Sequence, residues 1–171
     1  MARIAVRHVC GHMETHIVYA PAREHHSYEQ RFAGRRCSVC EADEWRRMRM
    51  HDNAASALLA EIEGLPALHG TVKQVGWAET IRRDALSKIA AVWSECERGL
   101  RRQVEDEIIG PGAINAARAA VDRFRADILG NTRARWWIDR RHILTDRYRM
   151  TTLLAPVVRD AVLPHHRVAR S

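Results

Sequence analysis

A chain of 171 residues with 46% hydrophobic content can bury one respectable core, or one core and a small metal-stapled module. No apolar run approaches the roughly 20 residues that cross a bilayer, and Met1 to Ala20 lacks the apolar stretch of a signal peptide, so a soluble protein of a reducing bacterial cytoplasm is expected. The net charge of +7 is unevenly placed: residues 1–70 balance nine basic against nine acidic groups, whereas residues 131–171 hold nine arginines and three acids.

In chain order, Arg3 to His8 and Glu14 to Tyr19 alternate enough to predict two short strands of a hairpin. Ile4 and Val6 mark one face of the first, Thr15, Ile17 and Tyr19 one face of the second, and Cys10-Gly11-His12 forms the turn. A short helix is expected over Ser27–Gly34, with Ser27 as cap and Tyr28 and Phe32 on one side. A longer one is expected from about Glu41 to Glu63, stopped by Gly64 and Pro66.

From Thr71 the apolar residues step by three or four, from Val75 through Ile81, Ile89 and Val92 to Ile108. Thr71 should cap this long helix, with Gln74 completing a capping box, and Gly110-Pro111-Gly112 should end it. Such a helix, reaching Ile109, would span about 58 Å at about 1.5 Å per residue, which makes either a break or a homodimer seam an expectation. Ile114, Ala117, Val121, Phe124 and Ile128 define a second helix closed by Gly130-Asn131. A third begins near Thr132, carries Trp136, Trp137, Ile138, Leu144 and Tyr148, and should break before Pro156, with fraying from Pro164 onward. The predicted fold is mainly α: a ββα-like zinc module over residues 1–66, then an antiparallel helical bundle over residues 67–171 with one long helix.

The most specific chemistry lies in Cys10 and His12, separated by Gly11, and Cys37 and Cys40, separated by Ser38 and Val39. Three sulfurs and one imidazole are the donor set of a tetrahedral structural Zn²⁺ site. Gly11 permits the tight turn that lets its neighbours converge, and the rival imidazole is His16. Four ligands close the coordination sphere, so one structural ion is expected and no metal-activated water. Cys96 reads as a core thiol, and the doublets His25-His26 and His165-His166 as solvated loop residues. No phosphate-binding glycine loop, His-Glu-x-x-His or Gly-x-Ser-x-Gly is present, so the sequence reads as non-enzymatic, with no small-molecule substrate expected.

Three segments together resemble a group of short bacterial proteins carried by phages, plasmids and integrated elements. They are the Cys10-Gly11-His12 and Cys37-x-x-Cys40 pairs, the stretch Leu68-His69-Gly70-Thr71-Val72-Lys73-Gln74-Val75-Gly76-Trp77-Ala78-Glu79-Thr80-Ile81-Arg82, and Ala134-Arg135-Trp136-Trp137-Ile138-Asp139-Arg140-Arg141. The group begins with a zinc-ribbon-like start and continues with a Leu-x-Gly-Thr-x-Lys-Gln-x-x-Trp-Ala-Glu-x-Ile-Arg helix opening and a Trp-Ile-Asp-x-Arg segment. This chain departs from it at Ser38, where proline is usual, and at Arg140, where asparagine is common. The resemblance implies the setting of a mobile genetic element and not a defined activity. The expected role is an accessory protein that contacts nucleic acid or a nucleoprotein complex through Arg133, Arg135, Trp137, Arg140, Arg141, Arg147 and Arg149. The alternative is an inhibitor of host defence, of the anti-CRISPR kind, that covers the surface of a Cas or other defence protein.

Overall fold

The computed structural model describes residues 1–166, so Arg167 and Arg170 of the basic tail lie outside the described residues. The protein is mainly helical, with a small two-stranded antiparallel sheet at its start. Its elements are β1 (Ala2–Arg7), β2 (Met13–Val18), α1 (His25–Ala33), α2 (Ser38–Ile62), α3 (Val72–Glu105), α4 (Gly112–Leu129), α5 (Ala134–Leu144) and α6 (Arg147–Val162). Among the described residues no helix is long and apolar enough to cross a membrane. The chain divides into two compact units, Met1–His51 and the residues from Asp52 onward, and not at residue 66 as expected. The reason is local: the second half of α2 is tied to α3 by Arg83–Asp52 at 2.7 Å and by Thr80 Oγ1, which donates to Asn53 Oδ1 at 2.8 Å.

In the first unit the hairpin pairs Ile4 with His16 and Val6 with Glu14. The alternation of β2 is inverted relative to its apolar pattern. Val18 is buried and Glu14 and His16 are half-buried, whereas Thr15, Ile17 and Tyr19 face solvent. The inward polar residues are held by partners that a pattern of hydrophobicity does not display. α1 starts two residues before Ser27, which therefore does not cap it. Its exit supports the hairpin turn, because Val9 N–H donates to Ala33 O at 3.0 Å. Gly11 adopts a φ of +83°, the left-handed turn its position calls for.

The second unit takes in the last part of α2, from Asp52 to Ile62. Gly64, at a φ of +64°, closes that helix in a double-bonded cap: Gly64 N–H reaches Glu61 O and Leu65 N–H reaches Ala60 O. Thr71 and Gln74 form the expected capping box, with Gln74 N–H on Thr71 Oγ1 and Thr71 N–H on Gln74 Oε1. α3 is unbroken over 34 residues, about 51 Å. It ends at Glu105, short of the glycines, because Glu107 takes a φ of 58° and Ile108 N–H turns back to Gln103 O. Gly110-Pro111 instead leads into α4. α3 packs on α5, and α4 on α6. Their shared core holds Ala78, Ile81, Ala85, Ile89, Val92, Ala117, Val121, Trp137, Met150 and Leu154.

Two further expectations are corrected. The third predicted helix breaks at Thr145–Asp146, where Asp146 caps α6 by accepting Arg149 N–H at 2.8 Å, while Pro156 sits inside α6. Residues 164–166 are tied to the body, since Gly110 N–H donates to His165 O at 2.8 Å and Ile109 pairs with His166. Buried within the unit, Arg82 lies 2.6 Å from Glu79 and donates to Pro66 O at 2.7 Å. Burial raises the Glu79 carboxyl pKa above its ordinary value, with the Arg82 charge opposing that rise.

Trp137 is fully buried, and its indole N–H donates to Asn131 O at 2.8 Å. The adjacent Trp136 is only half-buried, as the divergence of successive helical residues requires. In urea unfolding, Trp137→Ala is expected to cost about 3–5 kcal/mol through its cavity and the orphaned carbonyl, against about 1 kcal/mol for Trp136→Ala. A larger loss at Trp136 would contradict this packing.

Candidate metal centre and basic surface

The hairpin turn and the start of α2 bring the four sequence-predicted ligands together. One donor atom from each of Cys10, His12, Cys37 and Cys40 lies within 4.8 Å of all the others. His12 Nδ1 is 3.2 Å from Cys40 Sγ and 3.6 Å from Cys37 Sγ. Ligands on a tetrahedral ion with bonds of about 2.0–2.3 Å stand about 3.3–3.8 Å apart, so these separations suit one ion. Backbone amides complete the knuckle, with Cys37 N–H directed at Cys10 Sγ (3.4 Å) and Cys40 N–H at Cys37 Sγ (3.5 Å). Cys37 is buried and Cys10 and Cys40 are half-buried; none of the four cysteines is in a disulfide. The rival His16 stands outside this set and turns to His8 and Glu14, two residues that the sequence pattern did not single out. What marks them is alternation: Glu14 and His16 are two apart on one strand, and His8 lies across the turn.

The electrostatics of the knuckle favour one thiolate in advance of an ion. Hydrogen bonds from the Cys37 and His12 backbone stabilise ionised Cys10 and lower its pKa from 9.0 to about 6. Hydrogen bonding with the Cys37 side chain, then desolvation, raises Cys40 to about 11. Three sulfurs and one imidazole are a donor set that would fill the coordination sphere of a tetrahedral ion.

The first unit has little apolar core of its own. Of its 51 residues only Val6, His8, Val18 and Cys37 are buried, too few to offset the entropy of ordering the chain.

Of the residues expected to meet a partner, Trp137 is removed by its burial. Arg133, Arg135, Arg140, Arg141, Arg147 and Arg149 are all exposed. Arg135 pairs with Asp139 at 3.5 Å and Arg147 with Glu95. Arg133, Arg140, Arg141 and Arg149 have no carboxylate within 4.0 Å among the described residues. Arg140 instead lies over the Trp136 ring at 4.8 Å and Arg141 over Trp77 at 5.4 Å. The segments Leu68–Arg82 and Ala134–Arg141 meet here. His69 N–H donates to Thr132 O at 2.7 Å, Ala134 N–H returns to His69 O at 2.9 Å, and a side chain at Gly70 would come within 3.0 Å of Ala134 Cβ.

Comparison with protein-family models, with curated proteins and with solved structures finds no match for this chain.

Metal loading must expel the Cys40 proton at neutral pH and, below about pH 6, the Cys10 proton too. In chelator-competition titrations, affinity for a thiophilic divalent ion should therefore fall as pH is lowered, with a steeper slope below pH 6 than above it. A profile flat from about pH 5 to 8 would contradict thiolate ligation.

Proposed function

We propose that this chain is a non-enzymatic accessory protein of a phage or other mobile element. In this reading Cys10, His12, Cys37 and Cys40 hold one structural Zn²⁺, and the arginine surface of α5 and the start of α6 binds nucleic acid or a nucleoprotein complex. Zinc is the ion that a tetrahedral set of thiolates and one imidazole favours. The mobile-element setting comes from the resemblance of the three segments.

The observation that carries the binding role is the set of four exposed arginines that have no carboxylate partner among the described residues. Two of them ride on tryptophan rings that keep the guanidinium held near the surface. Cations left unneutralised by their own protein are the groups that release counterions when they meet phosphate. Trp77, 44% exposed beside Arg141, adds an aromatic face on which an unpaired base can stack.

A protein partner is the second reading, in the form of an inhibitor that binds a Cas or other host-defence protein. What favours it is the first-unit part of α2, which exposes Trp45, Met48 and Met50 to solvent. Aromatic and methionine side chains are enriched at protein interfaces. A stoichiometric protein that co-purifies from host lysate after nuclease treatment would favour this reading.

Fluorescence anisotropy of labelled single- and double-stranded oligonucleotides against salt tests the first. Log affinity should fall linearly with log salt, and the triple variant Arg140→Ala, Arg141→Ala, Arg149→Ala should flatten the slope by about 2–3. Absence of binding to any DNA or RNA at low salt by zinc-loaded protein would exclude it.

A further inference from the structure

We infer that the hairpin carries a second metal site, formed by His8 Nε2, Glu14 Oε2 and His16 Nε2, that takes a borderline divalent transition-metal ion and keeps one coordination position open. It shares no ligand with the Cys10–His12–Cys37–Cys40 centre.

Strand geometry makes the juxtaposition. Glu14 and His16 are alternate residues of β2 on its inward face, opposite Val6 and Ile4. His8 continues the ladder beyond β1, its N–H donating to His12 O at 3.0 Å, and therefore lies diagonal to Glu14 on that same face. The two Nε2 atoms are 3.0 Å apart, and Glu14 Oε2 is 3.3 Å from His8 Nε2 and 4.0 Å from His16 Nε2. Ligands on an ion with bonds of about 2.0–2.2 Å stand about 3.3–3.5 Å apart, the middle of that range.

Each donor is aimed by a neighbour. The His8 side chain is 2% exposed, and its Nδ1–H donates to Arg35 O at 3.0 Å, which leaves Nε2 as the nitrogen that faces Glu14 and His16 and, in the neutral ring, the one that carries the lone pair. Phe32 stacks on the His16 ring at 4.1 Å and 9°, which sets its plane. Glu14 Oε2 accepts Ser38 N–H at 2.9 Å. An imidazole held through its other nitrogen by a carbonyl, and a carboxylate held by an amide, are the supports that metal ligands have.

With His8 neutral and its Nδ1–H given to Arg35, Nε2 has only a lone pair to offer, and it faces the Glu14 carboxylate at 3.3 Å and the His16 ring nitrogen at 3.0 Å. A cation satisfies all three lone pairs at once. Two imidazoles select zinc, cobalt or nickel over magnesium. The partial exposure of Glu14 and His16, 26% and 21%, leaves a side open to water.

The test is a cobalt(II) titration of the full chain, followed by absorption, with zinc stoichiometry by elemental analysis. Two equivalents are expected: one with the thiolate-to-cobalt charge-transfer band, and one that adds ligand-field absorption without it. Glu14→Gln and His16→Phe, the latter keeping the stack on Phe32, should each weaken the thiolate-free equivalent at least tenfold and leave the charge-transfer band in place. Cys40→Ser should do the reverse. A single equivalent in the wild type, or a second that neither Glu14→Gln nor His16→Phe weakens, would overturn the proposal. Neither outcome bears on the sulfur site or on nucleic-acid binding.

Discussion

Three thiols and one imidazole converge at the base of a two-stranded hairpin, and on the proposed reading this convergence is the constraint on which the first 51 residues depend. A two-stranded sheet is marginal in water, and this one buries only Val6 and Val18 among its strand residues. What remains is tied by short-range links: Val9 to the exit of α1, Arg36 to Glu44 at 2.9 Å, and the amides of the Cys37 knuckle to sulfur. Each such link contributes about 1 kcal/mol or less, whereas an ion at the quartet contributes binding free energy directly to folding. On the proposed reading the metal is the core of this unit.

The second unit is built by the opposite means. Its body is apolar, and among the described residues the buried charges are Glu79 and Arg82, the latter also donating to Pro66 O. Such a pair is costly to break and adds little net stability when intact. It closes the approach of the Leu65–Gly70 stretch to α3, next to the backbone bridge between His69 and Arg133. That bridge places the start of α5, and with it arginines that meet no carboxylate among the described residues. The arginine surface is thus a consequence of how the segment before α3 is anchored. The two aromatic rings that carry Arg140 and Arg141 come from α5 and α3 respectively.

Much of this was legible in the sequence because it depends on local spacing. The Cys-x-His and Cys-x-x-Cys pairs, the capping box at Thr71 and the 3.6-residue period of α3 each express a rule that acts within a few residues. The features that were not legible depend on distant partners. β2 turns Glu14 and His16 inward because Ser38, His8 and Phe32 receive them, and hydrophobic alternation assigns those positions to solvent. Trp136 and Trp137 are equivalent to a pattern, and only the packing of α5 decides which is buried. α3 stops where a non-glycine residue, Glu107, adopts the left-handed conformation, a choice that residue preferences disfavour. Pro156 lies inside α6 although its missing N–H marked a break.

The central claim is that a metal ion organises the first unit and is dispensable to the helical body. Amide correlation NMR spectra of the full chain, recorded zinc-loaded and after exhaustive chelation, address it most directly. The expected result is loss of dispersion confined to the resonances of Met1–His51, with those of α3 to α6 unchanged. A zinc-free chain whose hairpin resonances keep their native positions would contradict it.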